Sequence, residues 1–225
     1  MCIRDRTDTV LTNGDDGTDT LSNIEFLQFG ATTVLAQAWD NTIFGTQSAD
    51  TITGTSANDL IISQDDNDIV DGGLGGDILL GGGGNDRLSG GDGNDTLSGD
   101  AGNDSLRGEA GDDFINGGDG NDFVSARDGD DIVNGGDGDD ALFGGTGMDT
   151  ITGGAGADSI FGGLDNDTLS GGLDDDTING QDGDDIINGN AGDDNLIGGG
   201  GADTCLLYTS PSPRDATLTR MPSSA

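Results

Sequence analysis

From Asp50 to Asp203 every ninth residue of the chain is aspartate, and the residue two places further on is aliphatic from Ile52 through to Leu196. In steps of nine from Gly72 the sequence reads GGLGGDILL, GGGGNDRLS, GGDGNDTLS, GDAGNDSLR; this register runs unbroken to Thr204 and extends back to Gly45. Two columns kept in step over so many units define a repeat architecture, in which each unit contributes one element and stacking buries what no unit can bury alone. Composition taken by itself points the other way. The chain has 45 glycines, 44 acidic against 7 basic residues, a net charge of −37 and only 4% aromatic residues, which is the texture of a disordered acidic tract. A disordered tract has no reason to hold both columns, so periodicity decides for order.

The nine-residue unit divides into two physical halves. In GGxGxD the glycines supply backbone conformations with positive φ, letting the main chain turn tightly around a small object with its carbonyls and one carboxylate facing that object. In the last three residues one aliphatic side chain faces inward between two that face out, as a short strand requires. If two units complete one coil, side chains eighteen apart stack. Ile52, Val70, Leu88, Leu106, Val124, Leu142, Ile160, Ile178 and Leu196 then line one sheet, and Ile61, Leu79, Leu97, Ile115, Val133, Ile151, Leu169 and Ile187 the other. One aliphatic side chain per nine residues is a thin core. The stacked carboxylates supply a remedy, a hard cation held by oxygen ligands between coils. The same charge excludes other partners: it opposes nucleic acid, whose binding needs cationic side chains to release counterions. With no histidine and two cysteines, there is no His-based zinc or triad chemistry and no disulfide framework.

The units GGDGNDTLS and their neighbours resemble the GGxGxDxUx nonapeptide of repeats-in-toxin (RTX) proteins, the haemolysin-type calcium-binding repeats, strongly over 72–204 and weakly over 45–71. The resemblance implies an all-β fold, a right-handed parallel β-roll (β-solenoid) of nonapeptide repeats with a short N-terminal β cap. It implies several Ca²⁺ ions as the only cofactor, held between turns two repeats apart by sixth-position aspartates and loop carbonyls. Carried over residue by residue, the expected ligands are Asp77, Asp86, Asp95, Asp104, Asp113, Asp122, Asp131, Asp140, Asp149, Asp158, Asp167, Asp176, Asp185, Asp194 and Asp203, with Asp77 paired to Asp95, Asp86 to Asp104, and so on to Asp185 with Asp203. Departures bear on which loops bind. GTQSADTIT and GTSANDLII lack the second and fourth glycines of the motif and SQDDNDIVD lacks all of them, so Asp50, Asp59 and Asp68 are expected in capping coils with weak or absent calcium binding. Ala126 and Arg127 stand where two glycines belong, which makes Asp131 a weaker candidate. Asp165 and Asp174 replace the fourth-position glycine, and aspartate tolerates a left-handed backbone well enough for those loops to form.

The two ends differ in kind. MCIRDR and CLLYTSPSPRDATLTRMPSSA hold both cysteines, the only tyrosine, all three prolines and four of the seven basic residues. Back-translated, Met1–Asp5 and Cys205–Ser210 resemble opposite strands of one DNA element, the transposon end used to build sequencing libraries, so 1–6 and 205–225 are expected to be adapter-derived and outside the fold. The expected organisation is a cap or linker at 7–44, degenerate capping repeats at 45–71, and a truncated calcium-binding roll at 72–204. Phe26, Phe29 and the lone Trp39 are expected in one or two strands of the cap.

The functional expectation is a calcium-binding module of a larger secreted bacterial protein, monomeric, folding on calcium outside the cell and assisting export through the type I secretion machinery that the resemblance implies. Two alternatives are the C-terminal portion of an RTX protease or lipase whose catalytic domain lies elsewhere, and the spacer of a calcium-dependent adhesin. No catalytic constellation is expected in the chain itself: it has neither a His-Glu-x-x-His helix nor a G-x-S-x-G elbow. Position seven alternates threonines such as Thr51, Thr96 and Thr150 with Leu60, Ile69 and Phe114, too irregular for a flat ice-binding face. No transmembrane span is expected.

Overall fold

The structure, a computed structural model, describes residues 42–207 and the short strands Cys2–Arg4, Val10–Thr12 and Val34–Leu35. The first two of these pair antiparallel. All the other strands form two ten-stranded parallel sheets, with successive strands of the chain alternating between them. The partner of every residue in a sheet is the one eighteen positions away: Leu106 lies between Leu88 and Val124, and Leu97 between Leu79 and Ile115. The fold is therefore an all-β parallel solenoid of two-repeat coils, a β-roll.

Strands run longer than the three residues that alternation in the last third of the unit predicts. A typical one, Thr96–Ala101, spans positions seven to nine of one repeat and one to three of the next. Along it the burial pattern alternates, so that position eight and the following position one both face inward. Position eight supplies the aliphatic column, fully buried from Ile52 to Leu196, with Ile43 stacked beneath Ile61 at one end. Position one must be small for a different reason: it faces the same interior where the aspartate of its own loop folds back. Only three residues remain to turn the chain from one sheet to the other, and parallel neighbours arise without any helical crossover.

The sheets reach beyond the first recognisable repeat, since the strand at Val34 pairs with the one at Ile52 in one sheet and Ile43 pairs with Ile61 in the other. At the far end, Thr204–Leu206 adds a last strand to Ile186–Ala191, with Cys205 half-buried on Ile187. Cys205 thus occupies the eighth-position column although its sequence context differs from that of the repeats. Phe26, Phe29 and Trp39 lie outside the described residues. Among the described residues no helix is long and apolar enough to cross a membrane.

Candidate metal sites

Each three-residue turn has three N–H groups that the sheets cannot satisfy, and buried or not they need partners. The fourth-position N–H donates to a main-chain carbonyl of the following coil, as Gly75 does to Asp92 O at 2.8 Å. The fifth-position N–H donates to a fifth-position side chain of the preceding coil, as Asn103 does to Asn85 Oδ1 at 2.8 Å and Asp130 to Asp112 Oδ1 at 3.1 Å. The sixth-position N–H donates to the sixth-position aspartate of the following coil, as Asp86 does to Asp104 Oδ1 at 2.7 Å. Two side-chain ladders therefore run along each row of turns in opposite directions, an exposed one of asparagine and aspartate and a buried one of aspartate alone. The exposed ladder was not anticipated. Its signal was present as a column of Asn58, Asn67, Asn85, Asn94, Asn103, Asp112, Asn121, Asp130 and Asp139, masked by the more regular column one place on.

The buried ladder places the expected residues alike. Asp77 through Asp185 are buried, Asp194 sits at the margin of burial and Asp203, in the last coil, is half-exposed. Asp131 is as buried as the rest, with Asp113 N–H donating to its Oδ1 at 2.7 Å, so the Ala126-Arg127 substitution leaves its place in the ladder unchanged. Each carboxylate spends one oxygen on this bond. The other, Oδ2 in every case from Asp68 to Asp185, is buried without a hydrogen-bond partner.

Where that second oxygen points decides what the site can hold. A Cβ added to Gly72 would lie 2.5 Å from Asp77 Oδ2 and 2.6 Å from the carbonyl oxygen of Gly90 in the following coil; at Gly81 the corresponding distances are 2.5 Å to Asp86 Oδ2 and 2.8 Å to Gly99 O. A carboxylate oxygen and a main-chain carbonyl thus converge on one small volume that only a position-one glycine leaves open. Both are acceptors and no donor lies between them, an arrangement that costs free energy unless a proton or a cation enters. The donor set is all oxygen, which suits a hard cation. Among the described residues no three acidic, cysteine or histidine side chains come together.

In the first coils hydroxyls reach single members of these oxygen pairs, while Oδ1 of Asp50 and Asp59 and Oδ2 of Asp68 stay buried without a partner. Thr46 donates both its N–H and its hydroxyl, the latter at 2.9 Å, to Asp50 Oδ2, and Thr55 does the same for Asp59. At the third loop Ser63 stands in the inward position and its hydroxyl donates to Gly81 O at 2.9 Å. Hydroxyls here do part of what a cation would do elsewhere, a substitution that the missing glycines of these repeats hint at but do not specify.

The electrostatics agree with the geometry. Burial, partly offset by the incoming N–H bond, pushes Asp86, Asp95, Asp104, Asp131, Asp158 and Asp167 up to about 6. Asp113, Asp140 and Asp176 rise to about 7. Asp149, which also feels the charges of Asp131 and Asp167, reaches about 8, and burial raises Asp77, Asp122 and Asp185 as well. Folded-state values above the ordinary aspartate value of about 3.9 mean that protons stabilise the metal-free roll in full below that value. That contribution is lost as pH rises through the range of about 6 to 8. In chelator the β signal in circular dichroism is accordingly expected to be larger at about pH 5 than at about pH 8. Ion binding displaces the same protons, so the calcium concentration at half-folding should fall as pH rises over that interval. Equal metal-free folding at both pH values would contradict this account of the ladder.

Seven overlapping stretches of the chain, 44–79, 71–106, 80–115, 107–142, 134–169, 143–178 and 170–205, match the RTX calcium-binding nonapeptide repeat (4 copies). No curated protein matches the chain. The matched stretches take in nearly the whole β-roll and every coil with an open glycine cradle, and on that footing the chain belongs to the RTX calcium-binding nonapeptide repeat family.

Proposed function

We propose that the fifteen aspartates from Asp77 to Asp203 at nine-residue spacing are the side-chain ligands of a series of calcium ions, and that filling them folds the roll after export from the cell. The observation that carries this is the row of buried, unpartnered Oδ2 atoms, facing a carbonyl of the next coil across a glycine at Gly72, Gly81, Gly99 and the equivalent glycines of most later loops. Calcium bound there supplies positive charge between acceptors that otherwise face one another. Since the cradles require two stacked coils, they do not exist in the unfolded chain, and ion-binding free energy becomes folding free energy. Free calcium is scarce in the cytosol and abundant outside. An acidic chain that stays unfolded in the first place and folds in the second is suited to passage through a type I secretion channel, and its high negative charge favours a monomer. On the same reading the roll proper spans 72–204, with 45–71 as capping coils held by threonine and serine hydroxyls.

Asp104→Asn separates ligation from structure. The amide oxygen can still accept the Asp86 N–H, and the amide nitrogen offers a donor to the carbonyl of Gly117, which converges with Asp104 Oδ2 over Gly99. The variant is expected to bind one calcium ion fewer by native mass spectrometry, while its metal-free form keeps or gains β structure. An unchanged ion count would remove Asp104 from the ligand set.

A further inference from the structure

Of the inward-facing first positions from Gly45 to Gly198, sixteen are glycine and two are not, Ser63 and Ala126. Both exceptions are fully buried. Ser63 brings a hydroxyl that donates to the carbonyl of the next coil. Ala126 brings only a methyl group. In the adjoining coil of the same row, a Cβ at Gly144 would meet both Asp149 Oδ2 and Gly162 O. By its register in the repeat the buried Ala126 methyl belongs at the equivalent point of its own loop, that of Asp131, whose Oδ2 is buried and unpartnered. An alkyl group there offers no ligand and occupies the volume that the ion's oxygen shell needs.

The neighbouring residue supplies the charge that the methyl excludes. Arg127, at position two of the same loop, adopts φ +89° and places Nη1 3.2 Å from Oε2 of Glu109, the residue it pairs with in the preceding coil, where φ is +81°. Arg87 and Arg107 stand at positions seven and nine, away from the turns, so among the described residues Arg127 is the arginine at a position two. The pair is too exposed to contribute much stability by itself. Its place is informative: a fixed positive charge links two coils beside the one loop whose cradle is shut by a methyl.

We infer that Ala126 closes the Asp131 cradle, so that the row of cation sites along this edge of the roll is interrupted at one coil, where the Glu109–Arg127 ion pair joins the turns instead. This rests on the calcium assignment above and narrows it, taking the Asp131 cradle alone out of the series that fills. Gly108, one coil earlier, keeps its opening between Asp113 Oδ2 and Ala126 O, so the gap is confined to the Asp131 position.

Native mass spectrometry of the full chain with calcium, which resolves single bound ions, tests it with three proteins. Ala126→Gly is expected to bind one calcium ion more than the parent chain, and Gly144→Ala, which installs the same methyl one coil on, one fewer. Gly144 has no positive φ, so alanine there requires no change of backbone region, and circular dichroism in calcium checks that both variants fold. An Ala126→Gly protein that folds and binds the same number of ions as the parent overturns the inference while leaving calcium binding intact. A parent chain that binds no calcium overturns the calcium assignment itself, and the interruption with it.

Discussion

Leu106→Asp is expected to abolish cooperative folding at any calcium concentration. Leu106 is fully buried between Leu88 and Val124, in a column that each coil supplies with a single side chain. Deleting a leucine from such a site costs about 2–5 kcal/mol, and a buried carboxylate adds a desolvation penalty with no donor in the aliphatic column to offset it. In a solenoid each coil touches only its neighbours, so the loss cannot be shared with a distant core. It separates the coils before residue 106 from those after it. Leu106→Val, by contrast, makes a residue the column already uses at Val70 and Val124 and is expected to cost only about 1 kcal/mol. Circular dichroism and limited proteolysis in saturating calcium distinguish the two. A Leu106→Asp protein with full β signal and native protease resistance would show that the column does not hold the coils together.

Gly93→Val should be nearly as damaging, through the backbone. Gly93 has φ +132°, a region closed to branched side chains, and a Cβ there would lie 2.5 Å from the carbonyl carbon of Gly75 in the coil below. Neither obstacle is the end of a flexible side chain, so the turn itself must move, and with it the Asp95 carboxylate that the turn carries. The chain shows what relief looks like. At Asp165 and Asp174, the same fourth position, φ falls to +73° and +71°, the ordinary left-handed well, which an unbranched polar residue tolerates. Gly93→Asp is therefore expected to fold with a modest loss of melting temperature, and Gly93→Val to lose calcium-dependent folding in the coils around it. Equal melting temperatures for the two variants would argue against backbone strain as the cause.

The parts of the fold set by side-chain period were legible before any coordinates. A spacing of nine with an aliphatic residue at position eight leads directly to columns eighteen apart, and Leu106 does sit between Leu88 and Val124 as that spacing requires. What escaped sequence reasoning was set by where the backbone donors go. That positions one and eight share the interior follows only once strands such as Thr96–Ala101 are seen to continue through the glycine pair. Nothing in a column of GG distinguishes the glycine needed for φ, as at Gly73 with φ +108°, from the one at Gly72 needed for space. The fifth-position ladder was hidden for a related reason: asparagine and aspartate there read as ordinary turn residues until their oxygens are found accepting N–H groups from the next coil. The threonine caps at Asp50 and Asp59 were visible only as missing glycines, since a hydroxyl's partner depends on rotamer and not on spacing.

Circular dichroism of the full chain, titrated with calcium and separately with magnesium near neutral pH, bears most directly on the claim that cations complete this fold. The cradles bring together oxygens from two coils and from the main chain, a flexible set that suits calcium better than the smaller, tightly octahedral and reluctantly dehydrated magnesium ion. A cooperative gain of β structure with calcium alone, at a midpoint of roughly 0.1–1 mM as for extracellular calcium modules, is the predicted result. A spectrum already folded in chelator, or one that calcium leaves unchanged, would mean that the buried aspartates serve only to accept the turn N–H groups, and that calcium does not drive this chain to fold.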